Sequence, residues 1–289
     1  MTMIHEPMET STVMLADPAS AQNTAPVAPS LTEIPMHAPL DGNGEGRFSL
    51  GLRLRADAED YSKKQLVAYA AARVPAGGLI LDAGAGQCPH RVHFKHARYE
   101  SSDFIQNPDN SIDYVCDIQR MTCPSDRFDA ALCIQVLDDL PEPQRAVNEL
   151  FRVLKPGGSL FLTAPMSGRV HNEPYHFFHF SRNGLELMFK NAGFEVVSIT
   201  PRGGIFWYYS YLLKRTPKYL IRQLELRRDA ARGASRAVRG AGLAAAKAAC
   251  WLFKPVTEFV LPILCFHLDS LDRERAFTLG YACHCRKPV

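Results

Sequence analysis

Short apolar runs, punctuated by glycine, proline and acidic residues, alternate along this chain with stretches whose apolar positions recur every three or four residues. Leu79–Ala83, Phe128–Gln135 and Ser159–Ala164 are runs of the first kind, continuous enough for strands buried on both faces. Arg98–Asp103 and Ile112–Cys116 predict shorter strands, and Phe194–Thr200 alternates like a strand with one wet face. Helical spacing appears at Leu66, Val67, Tyr69, Ala70 and Val74, within Tyr61–Val74, which stops at Pro75. A second helix, Pro141–Leu154, collects Ala146, Val147, Leu150, Phe151 and Leu154 on one face. Ser181 is placed to N-cap a third that runs through Gly184–Phe189. Strands alternating with helices predict an α/β fold, a parallel sheet covered on both sides.

The segment Leu79–Cys88 carries the first chemical signal. Its strand ends at Asp82-Ala83, and the chain then turns on Gly84, Ala85 and Gly86. Glycine lets the backbone adopt positive φ and lets a ligand approach it closely. A dinucleotide fingerprint needs a third glycine three residues after Gly86, where this chain has Pro89. An acidic residue just before the turn also disfavours phosphate. Asp103 lies about 20 residues beyond the first strand, where a carboxylate can accept both hydroxyls of a ribose. Asp117, beside the apolar Ile118, can receive an adenine amino group.

Composition changes this picture little. The chain has 289 residues, 46% hydrophobic and 22% charged, with net charge +3, too small to argue for nucleic acid. Eight scattered cysteines fit reduced thiols in a cytoplasmic core. Cys283-His284-Cys285 lacks a second ligand pair and reads as strand, so no metal site is expected. Residues 1–46 are rich in Pro, Ala, Ser and Thr and read as a disordered leader without a secretion signal. No uninterrupted apolar run reaches about 18 residues, so a spanning helix is not expected.

Taken together, Asp82-Ala-Gly-Ala-Gly86, Phe128-Asp129, Gln135-Val-Leu-Asp-Asp139 and Arg152-Val-Leu-Lys-Pro-Gly-Gly158, in this order, resemble the signature of class I S-adenosylmethionine-dependent methyltransferases. Asn172–Ser181 and Asn191-Ala-Gly-Phe194 are similar to the stretch that follows it in bacterial members of the type 11 group. Two positions depart from the pattern: Cys88 stands where many members have glycine, and Asp139 where many have histidine. The resemblance implies a Rossmann-like three-layer sandwich over residues 47–289, with seven strands, the last antiparallel. Ala276–Cys285 would be that last strand, pairing with Phe194–Thr200 as the sheet edge. It also implies S-adenosylmethionine as cofactor, held by Asp82, Ala83, Gly84, Ala85, Gly86, Asp103, Phe104, Asp117, Ile118 and Gln135. The expected activity is methyl transfer to a small-molecule or envelope-linked glycan or lipid acceptor, at oxygen. The alternatives are a quinone or lipid methyltransferase at the membrane surface, and a non-catalytic binding module of the same fold.

An oxygen acceptor calls for a base. His176, and after it His171, fall at the expected mouth of the acceptor pocket, where they serve either as base or as pocket walls. Residues 205–270 form a helical insertion before the last strand. Within it, residues 214–254 carry eleven basic side chains against two acidic ones, a net +9 that leaves −6 for the rest of the chain. Arg228, Arg232, Arg236 and Arg239 fall at helical steps as one basic stripe. The insertion fits a lid over the sheet or a peripheral contact with an anionic inner membrane surface; nucleic acid is the least favoured partner.

Overall fold

The computed structural model describes residues 34–36 and 58–289. Seven strands form one sheet in the order β3-β2-β1-β4-β5-β7-β6. They are β1 Leu79–Ala83, β2 Arg98–Asp103, β3 Tyr114–Val115, β4 Phe128–Ile134, β5 Leu154–Pro165, β6 Glu195–Pro201 and β7 Gly280–Arg286. All neighbouring pairs are parallel except those of β7, which runs antiparallel to both β5 and β6. This is the Rossmann-like class I methyltransferase fold. The last strand is therefore not the sheet edge. It slots between β5 and β6, and its uniformly buried residues Gly280–Cys285 reflect neighbours on both sides.

Strands β1, β4, β5 and β7 are buried along most of their length on both faces, as their apolar runs require. Leu79, Leu81, Leu160, Leu162, Cys283 and Cys285 pack on one side with helices α2 (Pro143–Val153) and α3 (Arg182–Ala192). Ile80, Leu132, Phe161 and Ala282 face the other, under α1 (Ala58–Ala71). Ile34 and Met36 are buried in this second cluster, and the Ile34 amide donates to Thr200 Oγ1 at 3.3 Å. These residues therefore belong to the domain and not to a structureless leader; two large apolar side chains spaced to face one way suffice to seat the segment. The rest of the predicted leader lies outside the described residues. Strand β3 is shorter than predicted because the amides of Ser111 and Ile112 are taken by the side chains of Asn107 and Gln106, at 2.9 and 3.0 Å.

Between β6 and β7 lie helices α4 (Ile205–Asp229), α5 (Ala234–Pro255) and α6 (Leu261–Leu268), the last two joined by a π-helical turn. The four arginines do not share one helix. The chain breaks between α4 and α5, with Gly233 at φ +58°, so Arg228 belongs to one helix and Arg236 and Arg239 to the next. Among the described residues one helical stretch, Ser235–Leu271, is long and apolar enough by length and composition to cross a membrane. Its mean hydropathy reaches 1.5, and only 11% of that window is buried. The continuous-run criterion missed it because isolated polar residues interrupt the run without lowering the average far. The stretch does not leave the domain at its far end, where Trp207 stacks on Phe266 and Asp269 is fully buried.

Candidate functional site

The turn after β1 is held from behind. Gly84 and Ala85 donate their amides to the Ser102 carbonyl, and the Gly86 amide donates to Asp103 Oδ2 at 2.8 Å. Asn107 Nδ2 donates to the Gly86 carbonyl at 3.2 Å. Gly84 has φ +79°, and a Cβ there would stand 2.4 Å from Val136 Cγ2, so no other residue fits without displacing the chain after β4. Around the position of a Cβ on Gly86 there is open space to 4 Å. The turn is thus tight on its inner side and clear on its outer one.

Three carboxylates line this end of the sheet. Asp82 is buried and accepts a short hydrogen bond from the Tyr99 hydroxyl. Burial raises its pKa to about 6, against the lowering effect of that bond. Asp103 accepts from the Gly86 amide and, at 3.3 Å, from that of Ile105. Asp117 caps a short 3-10 turn by accepting from the Gln119 amide at 2.8 Å. Phe104 and Ile105 stand exposed after β2, at 72% and 69%. Ile118 instead packs into the core with Leu81 and Val147, which leaves mainly its backbone to a ligand. Gln135 takes a positive φ of +56° and donates Nε2 to Thr163 Oγ1 at 3.1 Å. Carboxylate acceptors beside a loop that carries no lysine or arginine, and whose Gly84, Ala85 and Gly86 amides are already engaged, suit a cationic ligand bearing vicinal hydroxyls and repel a diphosphate.

Beyond β4 and β5 a second group converges. His171 and His176 meet Asp138 and Asp139, with His171 Nε2 3.8 Å from Asp138 Oδ2. His176 Nδ1 lies 3.7 Å from both Asp138 Oδ2 and Asp139 Oδ1. His176 Nε2 is 3.1 Å from His179 Nε2, and Asn172 Nδ2 donates to Asp139 Oδ2 at 2.8 Å. Burial holds the Asp138 carboxyl above its ordinary range, with Asp139 adding to the effect. The sequence pointed to the two histidines, and to Asp139 only as a departure from the family pattern; Asp138 was missed, and both aspartates stand about 30 residues earlier on a different loop. The roles of Tyr99 and Asn107 were also missed, since each depends on a partner distant in sequence. A groove of about 950 Å³ opens nearby, lined by Arg169, Tyr208, Tyr211, Lys218, Arg222 and Glu258.

Residues 42–162 match the family model described as "Methyltransferase domain". Over 54 residues the chain is 39% identical to the ubiquinone biosynthesis O-methyltransferase of Coxiella burnetii, covering 18% of this chain. The chain thus spans only 23% of the length of that curated relative. Among solved structures, the cyclase SpnF is similar at 21% identity, covering 86% of this chain and 85% of that one, with a TM-score of 0.49. The 1,6-didemethyltoxoflavin-N1-methyltransferase of Burkholderia thailandensis is similar at 14% identity and a TM-score of 0.47, covering 87% of this chain and 95% of that one.

Proposed function

We infer that this chain, which carries a class I S-adenosylmethionine-dependent methyltransferase domain, methylates an oxygen of an envelope-linked lipid or glycan acceptor at a membrane surface. The observation that supports the setting is the exposed apolar and basic insertion. Trp251, Leu252 and Phe253 stand 77%, 66% and 58% exposed on α5, the same helix that carries Arg236 and Arg239. A helix of this composition suits the interface of an anionic bilayer. The groove beside it joins tyrosines to Arg169, Lys218 and Arg222, a lining for an acceptor with an apolar body and an anionic head. The short likeness to a ubiquinone biosynthesis O-methyltransferase favours, as a second reading, a quinone acceptor.

The cofactor's chemistry, once bound, is an electrophilic methyl group on a sulfonium with a neutral leaving group. The residues present fit it: Gly86 leaves the outer side of the loop clear, and the nearby acids favour positive charge. Asp103 would take the ribose hydroxyls with the lone pairs left free by Gly86 and Ile105. Phe104, exposed beside it, offers a wall for the nucleoside, and Asp117 an acceptor for the adenine amino group. Gly84, Ala85 and Asp82 set the loop's path through their own bonds, so they position the ligand more than they touch it. Gln135, held by Thr163 at the end of β4, would close one side of the cofactor pocket, and the acceptor would have to be held near attack distance of the methyl group. His176 and His171 turn toward Asp138 and Asp139, so they serve here as pocket walls, and the proton of an acceptor hydroxyl would pass to solvent water.

Two measurements test the reading. Calorimetry with S-adenosylhomocysteine should show one saturable site, weakened about 10- to 100-fold by Asp103→Ala, the scale of a lost charge-assisted bond. Tritium from methyl-labelled S-adenosylmethionine should pass into an extractable lipid or glycan fraction of cell envelopes. Binding without transfer to any fraction would leave a cofactor-fold binding module as the better description.

A further inference from the structure

The four side chains gathered after β4 and β5 lack the hydrogen bonds that would explain their meeting. Asp138 and His176 are nearly sealed from solvent, their side chains 1% and 5% exposed. Yet Asp138 Oδ1, Asp139 Oδ1 and His176 Nδ1 are buried without a hydrogen-bond partner. Leaving such groups unpaired costs about 1–3 kcal/mol each, and more when charged. The approaches of 3.7 and 3.8 Å between imidazole nitrogens and carboxylate oxygens are too long for hydrogen bonds. They are close to the roughly 3.4 Å that separates two ligands each about 2.1 Å from a tetrahedral ion. One ligand atom from each of Asp138, Asp139, His171 and His176 falls within 4.8 Å of the others.

We propose that Asp138, Asp139, His171 and His176 form a binding site for one divalent first-row transition-metal ion, of the zinc type. Two carboxylates and a divalent ion sum to zero charge, which removes the cost of burying Asp138 beside Asp139. Two imidazoles favour zinc, cobalt or iron over magnesium or calcium, whose shells are oxygen. The outer contacts fit as well. With Nδ1 of His176 on the ion, its Nε2–H donates to His179 Nε2, and Asn172 orients Asp139 from behind. Phe177 and Phe178 donate their amides to the Asp138 carbonyl, which clamps the histidine loop over the turn that carries the acids. His171, at 37%, and Asp139, at 28%, leave the solvent side accessible, an entry path for the ion.

The site stands apart from the methyl-transfer reading, and so does its test. The full chain, stripped with a chelator and dialysed, is titrated with Co²⁺ while visible d–d absorption is followed. One equivalent should bind with the intense bands of a four- or five-coordinate ion, and Zn²⁺ should displace it while an equal concentration of Mg²⁺ should not. His171→Ala/His176→Ala should bind Co²⁺ at least about 100-fold more weakly, while its S-adenosylhomocysteine binding and circular dichroism stay those of the unaltered chain. If the double variant does not fold, Asp139→Asn, at a half-exposed position, takes its place in the same titration. Absence of saturable Co²⁺ binding, unchanged binding in the variants, or displacement by Mg²⁺ would overturn the proposal. Intact S-adenosylhomocysteine binding alongside any of these results would leave the function reading standing.

Discussion

Asp82 is a carboxyl held where its charge is costly. Its ordinary pKa of 3.8 rises to about 6 through burial, while the Tyr99 bond pulls the other way. Between pH 4 and pH 6 the folded state therefore holds more protons than the unfolded one, so stability falls as pH rises through that window. Asp82→Asn keeps an acceptor for Tyr99 without the charge. It should stabilise the protein at pH 7 by up to about 3 kcal/mol, the worth of a shift of about two units, with no gain left below pH 4. Thermal melts at pH 4 and pH 7 check this, and an equal change at both would show that the charge is not the cause. Gly84 makes the opposite case, a residue chosen for space. Gly84→Ala meets Val136 at 2.4 Å and a φ of +79°, and should cost about 2 kcal/mol or more. Adding Val136→Ala should restore only the steric part of that loss in urea melts. Both residues were legible in the sequence, because an acid before two glycines is a local pattern. Tyr99 and Asn107 were not, since a phenol or amide becomes part of a loop only once the sheet has brought its partner near.

At the scale of elements, long helix α4 begins at Gly204, which has no side chain to cap it. The cap comes from the other end of the insertion. Asp269 accepts from the Gly204 and Trp207 amides at 3.0 Å, and Asp272 from Ile205 at 2.7 Å. Two carboxylates at a helix N-terminus also meet the positive end of its dipole. Asp269 is fully buried and has Arg275 Nη1 3.6 Å from Oδ2. Asp269→Ala should therefore cost about 3–5 kcal/mol, the range for breaking a buried charged network, and free the insertion before the sheet. Hydrogen exchange would report this as fast amides in Ile205–Asp229 with β1 and β4 still protected; uniform loosening would mean the insertion is not a separate unit. In β7, His284 lies between Tyr69 and Ser159, stacked on Phe161, and burial lowers its pKa to about 4. Here the unfolded state holds the extra proton between pH 4 and 6.5, so stability rises with pH across that window. His284→Gln should flatten that rise. The strand pattern itself was readable, because β1, β4 and β5 are buried on both faces and carry continuous apolar runs. The place of β7 was not: order across a sheet depends on which edge is free, and a strand's own residues do not encode its neighbours. The cap from Asp269 was hidden for a similar reason, because the two residues it joins are separated by the whole insertion.

For the molecule as a whole, charge is divided unevenly. Residues 214–254 carry net +9 and the remainder of the sequence −6, so the chain's excess of positive charge is concentrated in the insertion. The same insertion exposes Trp251, Leu252 and Phe253. A solvated basic face would not need those apolar side chains, and a lid packed on the sheet would bury them. Both features together suit a bilayer with anionic headgroups, where each nearby basic residue contributes about 1 kcal/mol and each buried aromatic or leucine about 1.5–3 kcal/mol. Vesicles containing phosphatidylglycerol should therefore float the protein, and neutral phosphatidylcholine vesicles should float it at least tenfold less at 0.1 M salt, given a screening length of about 10 Å. Arg232→Ser/Arg236→Ser/Arg239→Ser should abolish most of the difference between the two lipids, while Trp251→Ser/Phe253→Ser should weaken binding to both. The two variants thus separate attraction from insertion. If neither changes flotation, or if neutral vesicles bind as well as anionic ones, the insertion is serving a protein partner, and the acceptor must reach the groove by another route.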